Sequence, residues 1–200
     1  MTRRGGWLLA AGLVGLGLAL AASWPLLVHA WYSRPAPSDA ELAGAVAVPS
    51  FSPAALEALV AADQAARQGQ IDWERLRVED ARRRVVVRAW LAGQAIQAPA
   101  DQWRAALILQ HGRSVEDYEL AHRLAGAAAA AGFEPARWLE AATEDRWRLA
   151  RDLPQRWGTQ YQEVDGRMEL APVDPATTDA ERVARGLPSR AEARAAAAQR

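Results

Sequence analysis

Residues 110–160 read QHGRSVEDYELAHRLAGAAAAAGFEPARWLEAATEDRWRLARDLPQRWGTQ, and this run decides the fold. Ser114, with Asp117 three residues on, is a capping-box variant that opens a helix running to Ala131, where Gly132 closes it. Pro135 opens the next helix, Ala136 to Arg151, and Pro154 lies beyond its end. Alanines between two such helices let them approach closely, so a short Gly-containing turn joins them into a helical hairpin.

Downstream, Thr159–Val164 and Arg167–Pro172 flank Asp165-Gly166, the strongest short-range signal for a two-residue β-turn. A β-hairpin over about 159–172 is expected to lie on the helices, because an isolated one is marginal in water. Thr178 then caps a short helix ended by Gly186, and Ser189 starts a last helix rich in alanine and arginine.

Upstream, Ser52-Pro53 gives a capping hydroxyl with proline at the first helical position, for a helix from Ala54 to Gln68 stopped by Gly69. A short helix over Asp72–Arg77 and a second over Glu79–Leu91 follow; Val85, Val86 and Val87 would suit a strand, but flanking arginines and alanines favour helix. Pro99 and Asp101 start the helix that carries Trp103, Leu107 and Ile108 to Gln110-His111, where Gly112 is expected to supply a left-handed cap. The compact domain, 53–200, is therefore mainly α with one β-hairpin near its C-terminus.

Trp7 to Trp31 holds no formally charged side chain and follows Arg3-Arg4. At 1.5 Å rise per residue it is long enough to cross a hydrocarbon layer about 30 Å thick. Residues 1–32 are expected to form an uncleaved single-pass anchor, with a cleaved signal peptide as the alternative; Val28-His29-Ala30 and Ala19-Leu20-Ala21 meet the small-residue rule for cleavage. The positive-inside rule puts the N-terminus in the cytoplasm and the domain beyond the inner membrane. Residues 33–52, with Pro35, Pro37 and Pro49, have the composition of a tether.

Composition removes several chemistries. The 24 basic residues are balanced by 24 acidic ones, so there is no cationic surplus for a nucleic-acid backbone. All the basic residues are arginine, which excludes a Schiff-base lysine and a phosphate-loop lysine. Cysteine is absent, excluding disulfides and thiolate nucleophiles. No HExxH or clustered ligand run marks a metal, no cofactor motif is present, and Ser114 and Thr159 lie outside any GxSxG or SxxK context.

The polar residues that remain define the candidate site. Asp63 and Arg67 share a stripe with Leu56 and Val60, either as an i,i+4 ion pair on its rim or with Asp63 reaching into a polar pocket. Asp145 points where Trp138 and Leu149 point, and a buried carboxylate needs an answering group. The answer comes from Arg67, Arg146, His111 or the backbone of Gly158-Thr159-Gln160. His111 at a helix end is either an imidazolium favoured by the macrodipole or bonded to a carbonyl, or else a general base oriented by Asp145.

Taken together, Asp63-Gln64-Ala65-Ala66-Arg67, Gln110-His111, Asp145-Arg146 and Gln155-Arg156-Trp157-Gly158-Thr159-Gln160 resemble a bacterial family built around a domain of unknown function. Its pattern runs D-Q-x-x-R, Q-H, D-R and Q-x-x-G-T-Q, and the resemblance covers about Leu56 to Leu187. Trp157 stands where that family usually carries Tyr or Phe. The resemblance implies a mostly helical, often exported domain and no established reaction, and it marks Asp63, Arg67, Gln110, His111, Asp145, Arg146, Gln155, Thr159 and Gln160.

Two functions follow as expectations. One is a tethered extracytoplasmic module that binds an envelope protein, its motif residues forming a buried hydrogen-bond network. The other is a cell-envelope hydrolase with His111 as base, Asp145 orienting it, and Arg67 or Arg146 holding an anionic small molecule.

Overall fold

The computed structural model describes residues 38–199, so the apolar segment 7–31 assigned to the membrane lies outside the described residues. Among the described residues no helix is long and apolar enough to cross a membrane. They form helices α1 (Asp39–Ala43), α2 (Pro53–Ala65), α3 (Trp73–Ala92), α4 (Pro99–Leu109), α5 (Val115–Ala130) and α6 (Ala136–Leu149). Strands β1 (Tyr161–Val164) and β2 (Arg167–Leu170) follow, then α7 (Asp179–Ala184) and α8 (Arg190–Ala197).

The central pair is α5 and α6, with α4 packed beside α5. Ala121 and Ala125 of α5 are fully buried, and so are Ala136, Ala141 and Ala142 of α6; small side chains at these positions let the helices approach closely. Leu56, Val87, Trp90, Ile108, Leu109 and Leu139 complete the core. Burying side chains of that size contributes about 1.5–3 kcal/mol each. The Ser114–Asp117 capping box is present, and Gly132, at φ +84°, ends the turn as expected.

Three expectations need correction. Asp72–Arg77 and Glu79–Leu91 are not two helices but the single 20-residue α3, started by the Asp72 carboxylate on the Arg75 amide. Neither glycine nor proline interrupts Trp73–Ala92, so nothing stops propagation. Val85, Val86 and Val87 are all buried, which places this turn of α3 among other elements on most of its circumference.

Gly112 is not in the left-handed region, since it is absent from the positive-φ glycines of the described chain. It is required by space: a Cβ at this position would run into the side chain of Asp117. The described part of the 33–52 stretch is also more than a tether. Asp39 on α1 pairs with Arg84 at 2.7 Å, the Trp90 indole N–H donates to the Pro49 carbonyl at 2.8 Å, and Phe51 meets the Trp90 ring edge-on at 5.5 Å.

The hairpin lies inside the expected span. Asp165 (φ +50°) and Gly166 (φ +74°) form the turn, and Tyr161 stands opposite Leu170, Gln162 opposite Glu169, and Val164 opposite Arg167. It is tied to the helices by a parallel bridge between Gln155 and Val173 and by α8, which packs against β2.

Candidate functional site: two buried polar networks

The nine motif residues divide between two networks, one on either side of Gln110-His111. Eight of them are buried, and the side chain of Arg67 is 8% exposed.

The first network joins α2, α3 and the end of α4. Arg67 donates to Asp63 Oδ1 at 2.8 Å and to Asp80 Oδ2 at 2.7 Å, so one guanidinium bridges two helices. Arg83 donates to Asp80 Oδ1 at 3.0 Å and lies 3.8 Å from Asp63 Oδ1. The Asp63–Arg67 pair is thus neither a rim contact nor the wall of an open pocket; Asp63 is 1% exposed. His111 Nδ1 lies 3.2 Å from Asp63 Oδ1, and an ionised carboxylate only accepts, so the imidazole carries its proton on Nδ1.

Burial sets the electrostatics here. It pushes the His111 imidazole below its ordinary value, helped by the Arg67 charge and opposed by Asp63 and Asp80, so the ring is neutral rather than the imidazolium of the macrodipole reading. Burial also acts to raise Asp63, but His111, Arg67 and Arg83 together hold its carboxyl below the usual range. Asp80 stays raised by burial against the pull of Arg67. Two carboxylates, two guanidiniums and a neutral imidazole sum to zero charge, the condition under which a buried ionic group is tolerated.

Carboxylate oxygens of Asp63 and Asp80 and a ring nitrogen of His111 lie within 4.8 Å of one another, a juxtaposition that their sequence spacing does not reveal. As a donor set it would suit a divalent ion. The position between the carboxylates, however, is held by the Arg67 guanidinium, and a metal would have to displace it and leave that charge buried without its partners. The residues fit a charge-paired cluster better than a metal centre.

The second network locks the segment after α6. Asp145 Oδ1 accepts the amides of Arg156 and Trp157, both at 2.7 Å; Oδ2 accepts the Thr159 amide at 2.9 Å and its hydroxyl at 2.7 Å. Burial pushes the Asp145 carboxyl up, against the pull of these four donors. Gln155 acts as a short strand: its amide donates to the Gln160 and Ala171 carbonyls at 2.9 and 2.8 Å, and its oxygen accepts the Gln160 amide at 2.8 Å. Gln160 in turn donates to Thr159 Oγ1 at 2.9 Å.

The expected His111–Asp145 pair is therefore not formed. The oxygens of Asp145 are occupied by the loop, and Asp63 takes the place beside His111. Of the partners anticipated for Asp145, the loop backbone is the one that answers it. Gln110 links the two halves by accepting from Arg146 on α6.

Sequence reasoning missed Asp80, Arg83, Arg84 and Arg182. A signal existed for the α3 members: Leu76, Asp80, Arg83, Arg84 and Val87 fall on one helical face, so these charges sit on an apolar stripe. Arg84 pairs with Asp39 and donates to the His111 carbonyl at 3.3 Å. Arg182, 0% exposed on α7, donates to the Trp157 carbonyl and abuts Gly158, whose φ of +72° and lack of a Cβ make room for it. The guanidiniums of Arg156 and Arg185 both stack on the Trp157 ring, at 4.6 and 4.1 Å from its centroid. No family model, curated protein or solved structure matches the chain.

Proposed function

We propose that this chain is a membrane-tethered helical binding module whose domain lies beyond the cytoplasmic membrane, and that its motif residues maintain the fold rather than perform chemistry. The observation that carries the reading is the saturation of five of those residues. Asp63, His111, Asp145, Gln155 and Gln160 are buried and bonded to one another or to adjacent backbone. A general base has to reach a substrate proton through at most one water, and a buried imidazole held against Asp63 is poorly placed to do so. The motif resemblance to a domain of unknown function fits the same reading, because a saturated network accounts for such a pattern without a reaction. The apolar run 7–31 after Arg3-Arg4 supports the tether and its orientation.

The test uses the full chain in intact cells. Alkaline phosphatase fused after Arg200 should be active and a green fluorescent protein fusion dark; the reverse would place the domain in the cytoplasm and sink the localisation. Capture of envelope proteins should survive His111→Gln, whose amide can still donate to Asp63, and fail in a variant that breaks the loop at Gly158. Loss of cellular function in His111→Gln with the fold intact would favour the hydrolase alternative.

A further inference from the structure

The free edge of the β-hairpin carries charges arranged for a copy of itself. The Ala171 amide donates to the Gln160 carbonyl at 3.1 Å, which fixes the bonding phase of the ladder. With the observed register, 162 with 169 and 164 with 167 are the hydrogen-bonded pairs, so the backbone groups of Met168 and Leu170 point away from β1. Among the described residues nothing bonds the Met168 or Leu170 amide. A groove of about 710 Å³ lies beside the hairpin, lined by Glu163 of β1, Gly166, Arg167–Leu170 of β2 and Arg194 and Ala197 of α8. Arg167 and Glu169 are exposed and have no ion-pair partner among the described residues, whereas Arg67, Arg83, Arg104 and Arg148 are paired.

Charges on an edge strand usually prevent pairing with another chain. That protection needs like charges to meet, and here the sequence Arg167-Met168-Glu169 is antisymmetric about Met168. We propose that β2 is a self-association surface. Two copies pair antiparallel about a two-fold axis through Met168, giving a four-stranded sheet in which Arg167 of each copy faces Glu169 of the other. The outward Met168 backbone groups then exchange both hydrogen bonds across the axis, as the ladder phase requires.

The adjacent registers fail. An axis through Arg167 or Glu169 sets like charges against each other, and an axis between residues faces a charge with Met168 and breaks the bonding phase. The surface is separate from both buried networks.

The chain lacks cysteine, so a single introduced thiol reports one position. Met168→Cys and Gln162→Cys full-length proteins in detergent micelles are treated with a short bis-maleimide, and dimer formation is normalised to labelling by a mono-maleimide. In the proposed sheet the two 168 positions are about 5.5 Å apart at Cα, while the 162 positions lie three strand spacings apart and are offset by two residues along the strands, about 16 Å. Met168→Cys should cross-link about tenfold faster than Gln162→Cys. Arg167→Glu or Glu169→Arg added to Met168→Cys should slow it about tenfold, and the double swap, which restores both facing pairs, should recover the rate. Equal rates at the two positions, or a double swap as slow as either single change, would overturn the proposal.

Discussion

Replacing Asp145 with asparagine separates a structural carboxylate from a catalytic one, and its cost follows from the four bonds. The amide oxygen can stay at the Oδ1 position and keep the Arg156 and Trp157 amides. The new NH₂ then faces Thr159. The Thr159 hydroxyl accepts from Gln160 and has a second lone pair to offer, so it can turn and accept the new donor. The Thr159 amide has no such freedom and loses its acceptor. One buried donor left unpaired costs about 1–3 kcal/mol. The weaker remaining bonds are offset by relief of the burial that raises the Asp145 carboxyl. At about 2–4 °C per kcal/mol for a chain of this size, the melting temperature should fall by about 2–12 °C. Asp145→Ala orphans all four donors and should cost at least about twice as much. Amide hydrogen exchange gives the sharper readout: Thr159 should exchange about 10- to 100-fold faster in Asp145→Asn while Arg156 and Trp157 remain protected. Equal acceleration of all three amides, or equal costs for the two variants, would refute the bond-by-bond reasoning.

Two further outcomes follow from the same networks. Gly158→Ala combines a left-handed backbone with a Cβ that strikes the Arg182 guanidinium, whereas Gly166→Ala has open space at a similar φ. The second should cost about 1–2 kcal/mol and the first clearly more, so equal melting temperatures would argue against the Arg182 contact. The pH dependence of stability should centre on His111. Burial depresses its folded value, so the unfolded imidazole takes up a proton first. Its contribution is complete above about pH 6.5 and declines as the pH falls toward the folded value, by up to about 1.4 kcal/mol per pH unit. Asp63, also depressed, adds a loss only below the ordinary aspartate value, while Asp80 and Asp145, raised by burial, act in the opposite sense above it, adding stability as the pH falls from their raised folded values to the ordinary one. Urea midpoints of His111→Gln should lack the parent's loss of stability between pH 6.5 and 5, and an unchanged slope would remove His111 as the cause.

Local rules carried much of the fold. Ser52, Ser114, Thr178 and Ser189 cap the helices expected of them, and Asp165-Gly166 makes the hairpin turn, because caps and tight turns are decided by a few adjacent side chains and backbone angles. The helical phase of Asp63 and Asp145 showed that carboxylates lie on apolar faces, and both are buried. Where local signals competed, propagation won: α3 runs through a stretch that turn-by-turn reading divides, because it holds no breaker.

What the sequence by itself determined is which faces carry polar groups that need partners. Which partner each one meets was decided by the packing of the helices. His111 lies 48 positions from Asp63 and 34 from Asp145, and neither separation in the chain says which carboxylate the ring will meet. Packing of α2 and α3 against the end of α4 brings Asp63, Asp80, Arg67 and Arg83 around the imidazole, while the chain beyond α6 folds back and fills Asp145 with its own amides. Periodicity fixes a direction around one helix axis, whereas a pairing depends on the distance and angle between two axes, and those are set by the close approach that the buried alanines and leucines allow.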